Sequence, residues 1–360
     1  MKKLSFLFAV ALFISSISFA AVRRVGYWGT PVTGLDYSTP ALSVAASAAG
    51  DTIYVYGGNS SSAWQFDLTK KLVIIGTGYF YAANTPSNTN SNLNLQNYNA
   101  YSSAVVELSD GCSGSIITGI TGYVYCDQSH TAAINNIRVS NCYMYPVNVP
   151  PTTFKNGMTY DGWEISKNYL SSFVFGYPSS STARLTNFKF LNNILQGSAI
   201  NFSNQTGQNG IIENCTFYGY QTYATNQFNG SNLLIQDCIF TSNPGLGGYN
   251  NSVFNNCLFD FTPSPGVVGA NDALNITFSN LFIGVPSQGT YSDDGRWALK
   301  TGSPAIGAGI GGIDCGAFGG VNPYKLSGIP AVPAIYKLTA PGTAANSNPY
   351  TLTFSVRANN

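Results

Sequence analysis

Hydrophobic positions in the middle of the chain do not simply alternate. They recur as one short phrase written seven times between Asn136 and Ile283. The copies are Val139–Met144, Ile165–Leu170, Phe190–Leu195, Ile212–Phe217, Ile235–Phe240, Phe254–Phe259 and Phe278–Ile283. With Cys142 as position zero, the equivalent residues Asn168, Asn193, Cys215, Cys238, Cys257 and Leu281 follow at intervals of 26, 25, 22, 23, 19 and 24. A period in the low twenties, built on strand-like alternation, predicts a solenoid whose repeats bury their apolar edges against one another.

Positions −3, 0 and +2 hold Val/Ile/Phe, Cys/Asn/Leu and Met/Leu/Phe/Ile and form the predicted inward set; −4 and +1 point outward. Five residues separate −3 from +2, an odd number, so strict alternation must break between them. The break falls at −1, which reads Asn141, Lys167, Asn192, Asn214, Asp237, Asn256 and Asn280, with Gly119 in an earlier copy at Ile117–Ile120. Asn, Asp and Gly tolerate the left-handed backbone region. Position −1 therefore reads as a one-residue bend joining two short strands, and Lys167 is the exception. Parallel stacking at about 4.8 Å would turn each position into a ladder down the coils.

The flanks complete the layout. Residues 1–20 read as a signal peptide: Lys2 and Lys3, an apolar run from Leu4 to Ile17, and a small-residue cleavage site at Ser18–Ala20. A helix is predicted from Ser38 to Gly50, with Ser38 or Thr39 as cap and Pro40 in its first turn, placed to cover the first coil. Strands follow at Asp51–Tyr56 and Leu72–Ile75, and Asn84–Tyr101 reads as a long polar loop. The helical solenoid body should span 21–320, with Tyr291–Gly320 as its last coil, a Pro-rich linker over 321–334, and a β tail over 335–360.

This is the pattern of an all-β, right-handed parallel β-helix with an N-terminal capping helix and a short C-terminal β tail. The chain resembles the secreted β-helix proteins grouped around pectate lyases, and is similar to β-helix repeat proteins of Bacteroidetes-type bacteria. The phrases that carry the resemblance are Gly50–Val55, Lys70–Phe80, Gly302–Gly309, Asp314–Gly320, Pro333–Tyr336 and the ending Val356–Asn360. It implies fold and export but little about activity, because β-helices host lyases, hydrolases, adhesins and binding proteins.

Charge and chemistry narrow the function. Only 9% of residues are charged and the net charge is +1, which leaves no electrostatic footprint for nucleic acid. No run after the leader is long and apolar enough to span a membrane, so no span is expected in the mature chain. Four of the seven cysteines share position zero; their spacing allows disulfides between neighbouring coils in an exported chain, and the alternative reading is a stack of small buried thiols, while zinc-type spacing is absent. His130, the lone histidine, reads as an ordinary loop residue, and Asp293-Asp294 as a turn.

Two constellations remain. Arg138, Glu164 and Lys189 fall at −4 on three consecutive coils and predict a +/−/+ ladder, readable as a surface ion-pair array or as a cleft for an acidic sugar. Position +1 is outward yet largely apolar, so long loops or a partner should cover it. Alternatively Tyr143 and Tyr169, with Tyr145 and Tyr160 nearby, form a stacking platform for sugar rings. The expectation is an exported, extracellular or outer-surface protein that binds a polysaccharide or another cell-surface component without catalysis and without cofactor. The competing expectation is a polysaccharide lyase or glycoside hydrolase centred on Arg138, Glu164 and Lys189, with Ca2+ only in the lyase case.

Overall fold

The computed structural model describes residues 20–26, 30–56, 64–80, 84, 103–144, 155, 157–170, 183–196, 200–201, 209–218, 228–241, 246–263, 267–285, 287–331, 334–339, 351 and 353–357. The predicted leader and nearly all of the polar loop lie outside these residues.

Two long parallel sheets make the body, an all-β parallel β-helix. The first has eleven strands, and its successive members include Ile116–Thr118, Arg138–Ser140, Glu164–Ser166, Lys189–Leu191, Ile211–Glu213, Leu234–Gln236 and Val253–Asn255. The second has nine, including Thr121–Cys126, Tyr143–Met144, Tyr169–Leu170, Ile194–Gln196, Thr216–Tyr218, Ile239–Thr241 and Leu258–Phe259. Smaller parallel sheets pair Thr159–Asp161 with Arg184–Thr186, and Ile200–Asn201, Phe228–Ser231 and Leu246–Asn250 in turn. The register is the one the phrase predicts: Val139, Ile165, Phe190, Ile212, Ile235 and Phe254 stack in one column. That column is buried. The +2 column runs through Met144, Leu170 and Leu195 into an aromatic stack, with Phe217 and Phe240 rings 4.6 Å apart and Phe240 and Phe259 5.1 Å apart.

The bend at −1 is left-handed in every coil from Gly119 to Asn256, with φ between 49° and 70°. Lys167 conforms at 56°, although an unbranched cation gains nothing locally from that conformation. A second left-handed column lies at −6: Asn136, Gly162, Asn187, Asn209, Asn232 and Asn251, with Gly114 above them. From Ile116–Thr118 to Val253–Asn255, each first-sheet strand is thus a three-residue segment held between two bends.

Position zero has a polar task. The bend takes its backbone out of the sheet ladder, and the side chain of the next coil replaces the missing partners. The N–H of Cys142 donates to Asn168 Oδ1 at 2.9 Å and that of Asn168 to Asn193 Oδ1 at 3.0 Å. The N–H groups of Asn193 and Cys215 then approach Cys215 and Cys238 Sγ, each at 3.5 Å. In return Asn168 Nδ2, Asn193 Nδ2 and Cys215 Sγ donate to the carbonyls of Val139, Ile165 and Phe190. All seven cysteines are buried free thiols, as the stacked-thiol reading requires.

The seventh copy departs from expectation. Phe278–Asn280 is a 3-10 turn, not a strand, and Asn280 is absent from the left-handed set. The last corner is instead 270–273: Ala270 bridges Asn255, Asn271 takes the bend at φ 59°, and Asp272 Oδ1 accepts the Cys257 N–H at 2.7 Å. Ala273 bridges Leu258.

Residues after Ser303 do not form a further coil. They run back along the outside of the stack as a strap. Asn256 Nδ2 donates to Ala308 O, Asp237 Oδ1 accepts from Ile310 N, and Asn214 Nδ2 donates to Asp314 O. Asn192 Nδ2 then donates to both Ala317 O and Gly319 O, and Lys167 Nζ to Asn322 Oδ1. The −1 residues are therefore bends and docking posts at once. The stretch expected as linker stays held down: Ser327 O accepts from Tyr79 N, and Pro330 packs at Gly119.

The helix is shorter than predicted, Pro40–Ala46, with Thr39 Oγ1 accepting from Leu42 N and Ser47 already extended. Ser47 Oγ turns back to Ser43 O and Ala48 N donates to Asp51, which ends the helix before Gly50. It packs on the edge strands Asp36–Tyr37 and Trp64–Leu68, with Val44 in the core. The tail pairs Ala334–Thr339 antiparallel with Thr353–Arg357. Among the described residues, no helix is long and apolar enough to cross a membrane.

Candidate functional site

Arg138, Glu164 and Lys189 are direct neighbours on three adjacent first-sheet strands. They line one open groove of about 520 Å³ together with Lys71, Ile116 and the corner residues Asn136 and Asn187. The hollow exists because the −6 corner alternates in size: Gly114 and Gly162 leave space that the Lys71 stem and the Asn136 amide partly enter. The groove holds three cations against one carboxylate in a chain whose net charge is only +1.

Arg138 Nε and Glu164 Oε2 are 4.0 Å apart, with Arg138 63% exposed. An ion pair that long and that wet contributes at most about 1 kcal/mol. The ladder is therefore a weak stability device, and its cations stay accessible. Asp161, a neighbour in sequence, is engaged elsewhere: its Oδ1 accepts from Thr186 Oγ1 at 2.7 Å and Asn187 Nδ2 at 2.6 Å.

The tyrosines lie elsewhere. Tyr169 is 2% exposed, packed with Tyr79, Phe80 and Tyr143 beneath the strap, and Tyr143 is half-buried. Coverage of the apolar +1 column by the chain itself, one of the readings of the sequence, is what the fold provides. Tyr160 is fully buried on the inner side, where its hydroxyl meets His130 Nε2 at 2.5 Å. Tyr160 and Tyr169 therefore present no ring face for stacking on a sugar; Tyr145 lies outside the described residues. His130 lies outside the strands, as an ordinary loop residue would, but is buried against Tyr160.

Asp294 is a tie point. It is buried, and its carboxylate accepts from Asn84 Nδ2, Ser292 Oγ, Gly295 N, Tyr324 OH and Ser327 N, which joins three distant segments. Burial and the neighbouring Asp294 charge hold the Tyr79 hydroxyl well above the ordinary tyrosine range. Among the described residues, no group of three or more His, Cys, Asp and Glu side chains is arranged to hold a metal ion.

Sequence reasoning missed two features of the groove. One is the −6 corner of exposed amides beside the groove, whose signal was an Asn or Gly six residues before each zero position. The other is Lys71, which reaches the groove from an early coil and has no periodic signature. No protein-family model matches the chain, and a search of curated proteins found no match.

Proposed function

We propose that this chain is an exported β-helix protein that binds an acidic polysaccharide in the groove of Lys71, Arg138, Glu164 and Lys189, without cleaving it. The observation that carries the reading is the gathering of three cations in one open groove of an otherwise nearly neutral chain. Exposed Asn136 and Asn187 amides beside them suit the hydroxyls of a sugar polymer, since each amide both donates and accepts. The resemblance to pectate-lyase-like proteins, and localisation outside the cell, belong to this proposal.

One observation favours a second reading. Arg138 and Lys189 flank Glu164 from both sides, so Lys189 in its neutral form, as a base, could face a polymer anchored by the Arg138 cation. In that reading the protein is a polysaccharide lyase whose activity calls on added Ca2+.

The test is a binding and depolymerisation screen on the chain from Ala21 onward, using uronate and neutral glycans with and without calcium. Retention of an acidic glycan without new reducing ends, weakened about tenfold by Lys189→Ala, is the expected result. Cleavage products that vanish in Lys189→Ala would replace the binding reading with the lyase. Retention of neutral glycans alone would sink both.

A further inference from the structure

We propose that the ligand of the groove is an acidic glycan bearing a linear acyl chain, and that this chain lies along an apolar strip continuing the −4 column beyond Lys189. The proposal rests on the groove reading above and narrows its ligand.

Position −4 changes character halfway down the first sheet. After Arg138, Glu164 and Lys189 it reads Ile211, Leu234 and Val253, each paired in register with the one before. Val268 adds a further member, because Ala270, two residues on, bridges Asn255. These side chains face outward: Val253 is 56% exposed, Val268 44% and Leu234 37%, with Ile211 half-buried. The outward columns on either side are polar. Asn209, Asn232 and Asn251 stand at −6, and Glu213, Gln236 and Asn255 at −2. Strand formation does not require the aliphatic residues, since Thr suits an exposed strand position as well as Val does. An apolar strip rimmed by polar side chains marks a contact surface.

Shape and charge select the occupant. Four members at about 4.8 Å give a strip roughly 14 Å long and one side chain wide. That suits an extended hydrocarbon chain, whereas a sugar ring calls for the broad face of an aromatic side chain. A second copy of the protein is a poor fit, because four aliphatics of this exposure fall far short of the roughly 800 Å² that each partner gives to a stable interface. Lys189 is the direct neighbour of Ile211, so the strip opens into the cationic groove without a gap. Glu213, two residues from Ile211 on the same outward face, repels an acid placed on the strip itself. The acidic part of the ligand is therefore held at Arg138 and Lys189, and its hydrocarbon part runs towards Val268.

The test titrates alkyl β-D-glucuronides from butyl to decyl, below their micelle concentrations, against the chain used in the glycan screen. Affinity should rise about twofold per added methylene, half the free energy of full burial, because a chain on a flat strip is covered on one side only. Decyl β-D-glucoside keeps the chain and lacks the acid. It should bind about tenfold more weakly than decyl glucuronide, and Lys189→Ala should erase that difference. The Leu234→Thr/Val253→Thr double variant should flatten the dependence on chain length and leave retention of polygalacturonate unchanged. Thr keeps the strand propensity of these exposed sites, so this variant should melt with the parent, which separates lost contact from lost fold.

Affinity independent of chain length in the parent, or an unchanged dependence in the double variant, would overturn the acyl chain and leave the groove reading to stand on polygalacturonate. Equal binding of glucoside and glucuronide would overturn the link between strip and groove. A parent that sediments as a dimer, and as a monomer once the strip is changed, would assign the strip to a second copy instead. If polygalacturonate is not retained while decyl glucuronide shows both the chain-length and the Lys189 dependence, the reading for plain polymers fails and the acylated ligand stands.

Discussion

Position zero explains why asparagine and cysteine exchange places in one buried column. Each is small, donates to the carbonyl three residues before zero on the neighbouring coil, and accepts from the N–H at zero there. Asn193→Leu keeps the volume but leaves the Asn168 N–H and the Ile165 carbonyl buried without those partners. Urea unfolding should show a loss of about 2–4 kcal/mol, and a loss below about 0.5 kcal/mol would remove this role. The thiols are protected by the same burial, so native protein should not react with a thiol reagent at neutral pH, whereas unfolded protein exposes all seven. Burial pushes Cys112 and Cys142 up to about 12, against an ordinary value near 9 in the unfolded chain. The unfolded state therefore loses these protons first, and stability should fall as pH rises from about 9 towards 12. A melting temperature unchanged across that window would contradict it. The sequence showed that this column is inward, because its residues are small or apolar. It hid the polar task, although two buried asparagines among the cysteines were the visible clue.

At the scale of elements, the bends were legible and the strap was not. Asn and Asp at −1 announce positive φ, and even Lys167 follows because its neighbours on the ladder fix the turn. The apolar pattern offered Phe278–Ile283 as a coil, yet the true corner at 270–273 carries little apolar bulk and so was invisible to that pattern. The strap leaves no signature because most of it is held by its own backbone groups, which any residue can supply. Its posts can be tested singly. Asn192→Gly keeps the residue type that the bend accepts but removes both donors to Ala317 and Gly319. Amide exchange in strap residues 305–330 should speed up about tenfold or more, while the coil strands stay protected; equal acceleration everywhere would mean the bend itself had failed. Asp237 is the one charged post of acidic sign, and burial raises its pKa above the ordinary carboxylate value. A raised carboxyl pKa weakens the fold as pH climbs through it, because the folded state must hold a desolvated charge. Asp237→Asn still accepts from Ile310 N, so it should raise the melting temperature at pH 7 and leave little difference at pH 3.

For the whole molecule, a solenoid alone couples each coil only to its neighbours, and its ends are free to fray independently. The strap changes that connectivity. One continuous segment is bonded to the coils of Asn256, Asp237, Asn214 and Asn192 and reaches the coil of Gly119, so distant coils share a covering element. It also buries a second apolar cluster, in which Trp297 packs on Tyr218 and Phe282, outside the barrel of coils. Cooperativity should therefore depend on strap docking more than on any one coil. In urea, the parent should lose near-UV aromatic signal and far-UV strand signal in one coincident transition. The Asn192→Gly/Asn214→Gly double variant should lose the aromatic signal first, at lower urea, as the strap lifts and the coils persist. Coincident transitions in both proteins would mean that the coils themselves, not the strap, carry the cooperativity. The groove, by contrast, is built on the coils themselves. Asn322 belongs to the strap, and Lys167, Arg138 and Lys189 to the coils, so lifting the strap would release the Lys167 side chain while leaving the −4 ladder intact. The double variant should accordingly keep the acidic-glycan binding that depends on Arg138 and Lys189.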